Sequence, residues 1–262
     1  DYRSLLNEAQ ILPVEDTRGA VLVLAGAGSG KTRVLTYRIA YLIDKEGVDP
    51  RNILAITFTN KAAGEMRERI RAVTGQGGMT ISTFHSLCAK ILRADISKLG
   101  DYNSNFSIYD DDDSSKVVSR IIKSLNIEDN KDLKKKARWH ISNAKNMAMS
   151  AKEYAPRLKG EPEGEIIATI HERYERELKE NNALDFDDLL YKTLVLFATC
   201  KDVLEKYQNM YQYIHVDEFQ DTNKIQYTMV RLLANKYGNI FAVGDDDQSI
   251  YGWRWADVSN IK

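Results

Sequence analysis

Between Val21 and Arg33 the chain reads Val-Leu-Val-Leu-Ala-Gly-Ala-Gly-Ser-Gly-Lys-Thr-Arg, residue types and a spacing suited to holding a phosphate chain. Glycines at 26, 28 and 30 let consecutive backbone N–H groups turn inward at little steric cost. A helix beginning near Lys31 would add the unpaired amides of its first turn. Lys31 can reach the β- and γ-phosphates, and the Thr32 hydroxyl can ligate Mg²⁺. Ala25, Gly26, Ala27, Gly28, Ser29, Gly30, Lys31 and Thr32 are therefore the candidate nucleotide contacts. The pattern G-x-x-x-x-G-K-[ST] has alanine in its first place here, which alanine fills when its φ is negative. An ordinary turn between strand and helix would explain the glycines but not the Lys-Thr pair after them.

A second set of chemical groups lies far downstream. Asp217 and Glu218 follow the apolar run Tyr213 to Val216. The first carboxylate would hold Mg²⁺ directly or through its water shell, and the second would orient and deprotonate an attacking water. Such a pair alone could merely cap the next helix; its place downstream of a phosphate loop favours catalysis. Near the C-terminus, Tyr251, Trp253, Arg254 and Trp255 gather aromatic faces and a cation. Sequence-neutral binding of a single strand uses such faces, at roughly 1–3 kcal/mol per stacked base. Phe58 ends an apolar run, so core packing competes with stacking there. Lys131, Lys134, Lys135, Lys136 and Arg138 suit a solvated helix face or phosphate contacts. Asp110 to Asp113 read as a helix N-terminus rather than a metal site.

These groups need elements to position them. Val21–Leu24, Ile53–Phe58, Met79–Ser82, Tyr213–Val216 and Asn239–Val243 are short apolar runs that predict buried strands. Helical patterns alternate with them. Asn7 and Gln10 have capping-box spacing, Asn60 is placed to cap a helix from Lys61, Asp185 one from Phe186, and Thr222 one from Asn223. Strands alternating with helices imply an α/β fold with a parallel doubly wound sheet, whose ligands bind at the strands' carboxyl ends. From Ser114 to Asn181 the pattern is helical throughout. The expected organisation is a discontinuous nucleotide-binding domain, 1–108 with 182–262, interrupted by an all-helical subdomain, 109–181.

Composition sets outer limits. The chain has 262 residues, 43% hydrophobic and 29% charged, with a net charge of −1, so any nucleic-acid contact must come from local patches. No run reaches the roughly 18 apolar residues of a membrane span, and Asp1-Tyr2-Arg3-Ser4 lacks the layout of a secretion signal. Cys88 and Cys200 match no metal spacing and suit a reducing, cytoplasmic setting.

Six segments occur in a diagnostic order: Ala25 to Thr32, Thr57 to Ala63, Thr83 to Ser86, Leu184 to Leu189, Asp217 to Thr222, and Gly244 to Arg254. Together they resemble the successive motifs of the UvrD/Rep/PcrA family of superfamily 1 DNA helicases, and the likeness runs from Leu6 to the C-terminus. The resemblance implies a RecA-like P-loop NTPase fold with a helical insertion. It implies ATP and Mg²⁺ as cofactors, single-stranded DNA and single-strand/duplex junctions as partners, 3′→5′ movement coupled to hydrolysis, and service in DNA repair and replication. By the same resemblance Gln10 reads the adenine edge, Arg33 lies near the nucleotide, and Gln248 contacts the γ-phosphate. Phe58, Asn60, His85, Tyr251, Trp253 and Arg254 line the single-strand path. Where the family usually reads Arg-Gly-Ala, this chain reads Arg254-Trp255-Ala256, an indole that enlarges the base platform or crowds the strand. The sequence stops at Lys262, so the second RecA-like domain with its arginine finger is expected to be missing. On that expectation the polypeptide binds Mg·ATP weakly, hydrolyses it poorly and unwinds nothing alone. Two other readings stay open: the motor part of a helicase–nuclease, and a nucleic-acid-binding module without turnover.

Overall fold

The computed structural model describes residues 2–26, 30–128 and 130–245, which fall into two compact units, 1–87 with 202–262, and 88–201. In chain order the elements begin with α1 (Glu8–Glu15), β1 (Ala20–Ala25), α2 (Lys31–Asp44), β2 (Ile53–Thr57), α3 (Asn60–Thr74), β3 (Thr80–Thr83) and α4 (Phe84–Asp95). They continue with β4 (Ser107–Tyr109), α5 (Asp111–Ser124), α6 (Lys131–Asn146), α7 (Ala151–Tyr154), α8 (Gly164–Glu180), β5 (Ala183–Asp185) and α9 (Phe186–Thr199). The last are α10 (Lys201–Met210), β6 (Tyr213–Val216), α11 (Lys224–Ala234) and β7 (Ile240–Asp245).

Among the described residues of the first unit, five strands form a parallel sheet in the order β1-β7-β6-β2-β3. β2 is buried at every position, as its mostly apolar sequence without alternation suits a strand covered on both faces. On α2, Val34, Leu35, Ile39, Leu42 and Ile43 recur at helical spacing and are buried against Ile53, Ala55, Phe241 and Val243. Full burial of each such side chain is worth about 1.5–3 kcal/mol. The α/β fold expected from the alternating pattern is therefore present, and the chemical groups lie at the sheet's carboxyl edge.

Two helix caps differ from the expected ones by one residue. Thr59, not Asn60, caps α3: its extended backbone (φ −132°, ψ 149°) lets its hydroxyl accept from the Ala62 N–H at 3.0 Å, whereas Asn60 is already helical. Likewise Asn223 caps α11, because Thr222 closes the preceding turn through its N–H to Phe219 O at 3.1 Å. The capping box of Asn7 and Gln10 forms as expected.

The second unit is largely helical. α5, α6 and α8 enclose an apolar core that includes Val118, Ile121, Leu133, Ile141, Ile170 and Leu178. Asp110 caps α5 and the acidic run forms its first turn. One feature had no sequence signal: β4 and β5, three residues each, form a parallel pair of their own, too short for a period to register. The compact units meet in sequence at 87/88 and 201/202, and β4 and β5 pair with each other and, among the described residues, with none of the main sheet. No described helix is long and apolar enough to cross a membrane.

Candidate nucleotide-binding site

The parallel register sets the site. Ala25 at the end of β1 lies beside Asp245 at the end of β7, and β7 runs beside β6 with Val216 opposite Ala242. The residues just after β1, at the end of β7 and just after β6 therefore share one edge, as expected of a doubly wound sheet. At that edge α2 begins behind Gly30, whose φ of 81° is left-handed and which offers no side chain to cap the helix. No N-cap side chain takes the first-turn amides of α2. Lys31 is only 12% exposed in its side chain, and its ammonium pairs with the Asp245 carboxylate. That carboxylate stands in for an anionic oxygen, which is what a phosphate would present to Lys31. Thr32 is half-buried in the first turn of α2. A Cβ at Gly26 would meet nothing within 4 Å.

Gln10 reaches the same place. A Cβ at Gly30 would lie 3.1 Å from Gln10 Nε2, while Gln10 Oε1 accepts from the Asn7 N–H at 3.0 Å. The capping role and a position at the phosphate loop therefore coexist. Arg33 is exposed, with Nη1 donating to Leu5 O at 3.4 Å.

On the β6 side, the Asp217 N–H donates to Ile56 O at 2.9 Å, extending the sheet one residue beyond β6. The Asp217 side chain is buried, and Oδ1 accepts from the Glu218 N–H at 2.8 Å. Burial raises the Asp217 carboxyl above the ordinary range, and the Glu218 charge adds to this; the Glu218 N–H and Lys31 oppose it. A buried carboxylate at a raised pKa gains from a cation beside it. Mg²⁺ typically takes one or two carboxylates, with water and substrate phosphates completing its shell. Asp217 with Thr32 fits that donor set. Glu218 adopts the left-handed region at φ 48°, and its Oε2 accepts from Gln220 Nε2 at 2.5 Å. The sequence places Gly244-Asp245 just after a strand, with the phosphate loop and Asp217-Glu218, but gives Gln220 no role. Gln220 and Asp245 sit inside the motif segments Asp217 to Thr222 and Gly244 to Arg254, but nothing in their spacing says that they meet.

The proposed single-strand contacts fall partly in view. Thr57 pairs with Thr83, so the segments leaving β2 and β3 are neighbours. Phe58 is half-buried, with its ring 5.9 Å from that of buried Phe84 at 69°. Asn60 and His85 are exposed, and Ser86 Oγ donates to Asn60 Oδ1 at 3.5 Å. Phe58 therefore packs on one side while keeping part of its surface outside. Ala27, Gly28, Ser29, Gln248, Tyr251, Trp253 and Arg254 lie outside the described residues.

Comparison with known proteins adds an independent line. Proteins named ATP-dependent DNA helicase PcrA from Staphylococcus epidermidis and Staphylococcus aureus are each 50% identical to this chain over 258 residues. Those matches cover 98% of this chain and 35% of the relatives, so it spans about a third of their length. Residues 6–262 match the UvrD/REP helicase N-terminal domain. With that match over nearly every residue, and a parallel sheet whose carboxyl edge gathers Lys31, Asp217 and Glu218, the chain belongs to the UvrD/REP helicase N-terminal domain family.

Proposed function

We propose that this chain is the ATP-binding motor domain of an ATP-dependent 3′→5′ DNA helicase, acting on single-stranded DNA and single-strand/duplex junctions in the cytoplasm. The observation that carries the reading is the meeting of Lys31, Asp245, Asp217 and Glu218 at adjacent parallel strand ends. A passive nucleic-acid-binding module has no use for a lysine and carboxylates at such an edge, so this grouping favours turnover.

In this reading Lys31 leaves Asp245 for the β- and γ-phosphates, and the first-turn amides of α2 take further phosphate oxygens. Thr32 and Asp217 would hold Mg²⁺, which when bound neutralises charge developing on the phosphates. Glu218 orients the attacking water and takes its proton as the water oxygen bonds to the γ-phosphorus and the bond to ADP breaks. Gln10, beside Gly30, supplies an amide for the adenine edge, and Arg33 is a second cation near the nucleotide. Gln248 would link the γ-phosphate to the strand. Phe58, Asn60 and His85, with Tyr251, Trp253 and Arg254, would carry stacked bases and backbone phosphates.

The test is hydrolysis by the full-length natural polypeptide carrying this chain, with and without single-stranded DNA. DNA should stimulate turnover, and Glu218→Gln should reduce kcat by about 10²–10⁴-fold while Mg·ATP still binds, the range attributable to a general base. Unstimulated hydrolysis, or a Glu218→Gln variant at the wild-type rate, would remove this reading. A duplex with a 3′ single-stranded tail should be unwound and one with a 5′ tail should not.

A further inference from the structure

We infer that Gln220 is a positioning residue for hydrolysis: its side-chain amide fixes the Glu218 carboxylate and ties it to the end of β7, one contact away from Lys31. The inference rests on the proposed role of Glu218 as base.

The geometry uses both ends of the amide. Nε2 donates to Glu218 Oε2 at 2.5 Å and lies 3.5 Å from Asp245 Oδ2. Oε1 accepts from the Asp245 N–H at 3.0 Å. Asp245 in turn holds the Lys31 ammonium. A continuous chain of contacts therefore runs from the phosphate loop through Asp245 and Gln220 to the base. Only an amide can play this part. A carboxylate at 220 would keep the acceptor but lose the donor and set a third negative charge beside Glu218 and Asp245, and an aliphatic side chain would lose both contacts.

The surrounding chain is shaped to the same end. Glu218 holds the left-handed region at φ 48° without being glycine, and a side-chain restraint on the next turn helps to keep it there. Gly244 is where β7 comes closest to this turn. A Cβ there would lie 2.9 Å from Gln220 Oε1, 3.3 Å from Gln220 N and 3.4 Å from Phe219 Cβ. The missing side chain at 244 is what lets the Gln220 amide lie across the strand end. Nucleotide binding would act on this chain directly. Once phosphate draws Lys31 away, Asp245 loses its cation, and Gln220 is the group that conveys the change to Glu218.

The experiment compares Gln220→Ala, Gln220→Glu, Gly244→Ala and the Gln220→Ala/Gly244→Ala double variant in the full-length protein, with Glu218→Gln as reference. Mispositioning a general base forfeits part of its contribution, so each Gln220 variant should lower kcat about 10–100-fold with Mg·ATP affinity within about threefold of wild type. Gly244→Ala should lower kcat by displacing the amide, and the double variant should be no slower than Gln220→Ala alone, since the methyl then enters the vacated space. A readout independent of turnover is hydrogen exchange of the Asp245 amide in this chain. It should quicken at least about tenfold in Gln220→Ala and stay protected in Gln220→Glu, which keeps the acceptor. Wild-type kcat in the Gln220 variants, or additive losses in the double variant, overturns the inference. Equal loss of nucleotide affinity and melting temperature in every variant overturns it too, as a purely structural role. If Glu218→Gln itself leaves hydrolysis intact, the base assignment has failed rather than the role of Gln220.

Discussion

Lys31 and Lys145 both face carboxylates, one at the edge of a sheet and the other inside a helical unit. Lys31 stands at the carboxyl edge of the sheet with Asp245, whose side chain is 33% exposed. Lys145, on α6 of the helical unit, is 1% exposed, with Nζ at 2.8 Å from Asp185 Oδ2, 2.9 Å from Glu175 Oε1 and 3.0 Å from Asp188 Oδ1. Tyr174 OH donates to the same Asp185 oxygen at 2.7 Å. Burial works against the Lys145 charge, but three surrounding carboxylates hold it protonated well above the ordinary lysine range. The Asp185 carboxyl is likewise buried, and Lys145 and Tyr174 keep it low. The same residue types thus serve opposite ends. The strand-edge pair is the one proposed to open for a phosphate, while three carboxylates around Lys145, two of them buried, tie α6, α8 and α9 to one another.

Breaking the sealed cluster should have the largest effect on stability. Lys145→Met leaves buried carboxylates without their cation and should cost about 3–5 kcal/mol in urea unfolding. A loss below about 1 kcal/mol would show that the cluster relaxes or admits water. Lys31→Ala, by contrast, should change stability by less than about 1 kcal/mol.

Acid should act on both units through a histidine in each. His215 in β6 is fully buried, with Nδ1 donating to Leu54 O at 3.1 Å, and burial pushes its pKa down to about 3. His171 on α8 is pushed to about 4, again mainly by burial, with Glu175 opposing. Both folded values lie below the unfolded value of about 6.5, so the unfolded chain takes up protons first. Their contribution is complete above that value and is lost as pH falls toward 4 and 3. The melting temperature should fall across that window while the His215 ring resonances stay at their neutral positions above pH 4. Protonation of His215 near pH 6 in the folded chain would contradict this.

The smallest effect distinguishes neighbouring residues. Thr59→Ala should cost about 1 kcal/mol through loss of the α3 cap. Asn60→Ala should leave stability nearly unchanged and weaken only single-strand binding. The reverse pattern would restore Asn60 as the cap.

Much of this was legible in sequence because it is local. The apolar strands, the capping box at Asn7 and the helix starts at Asp110 and Asp185 are set by residues within a few positions of one another. What escaped was set by distant pairs. Asp185 reads as a cap and is one, with Asp188 completing its box, but its buried partner Lys145 lies 40 residues earlier. Gln220 meets Asp245 across 25 residues because β6 and β7 are neighbours, and no periodicity carries that information. The one-residue errors at Thr59 and Thr222 arose where two adjacent residues could each cap, and backbone dihedral angles decided between them.

The central claim, that the strand-end cluster is an ATP site, is tested most directly by calorimetric titration of Mg·ATP into this chain and its Lys31→Ala variant. The wild-type chain should bind one nucleotide, and the variant should lose about 10–100-fold in affinity, the worth of one or more charge-assisted contacts to phosphate, with an unchanged unfolding midpoint. Equal affinity in the two proteins, or no saturable binding by the folded wild-type chain, would contradict the claim.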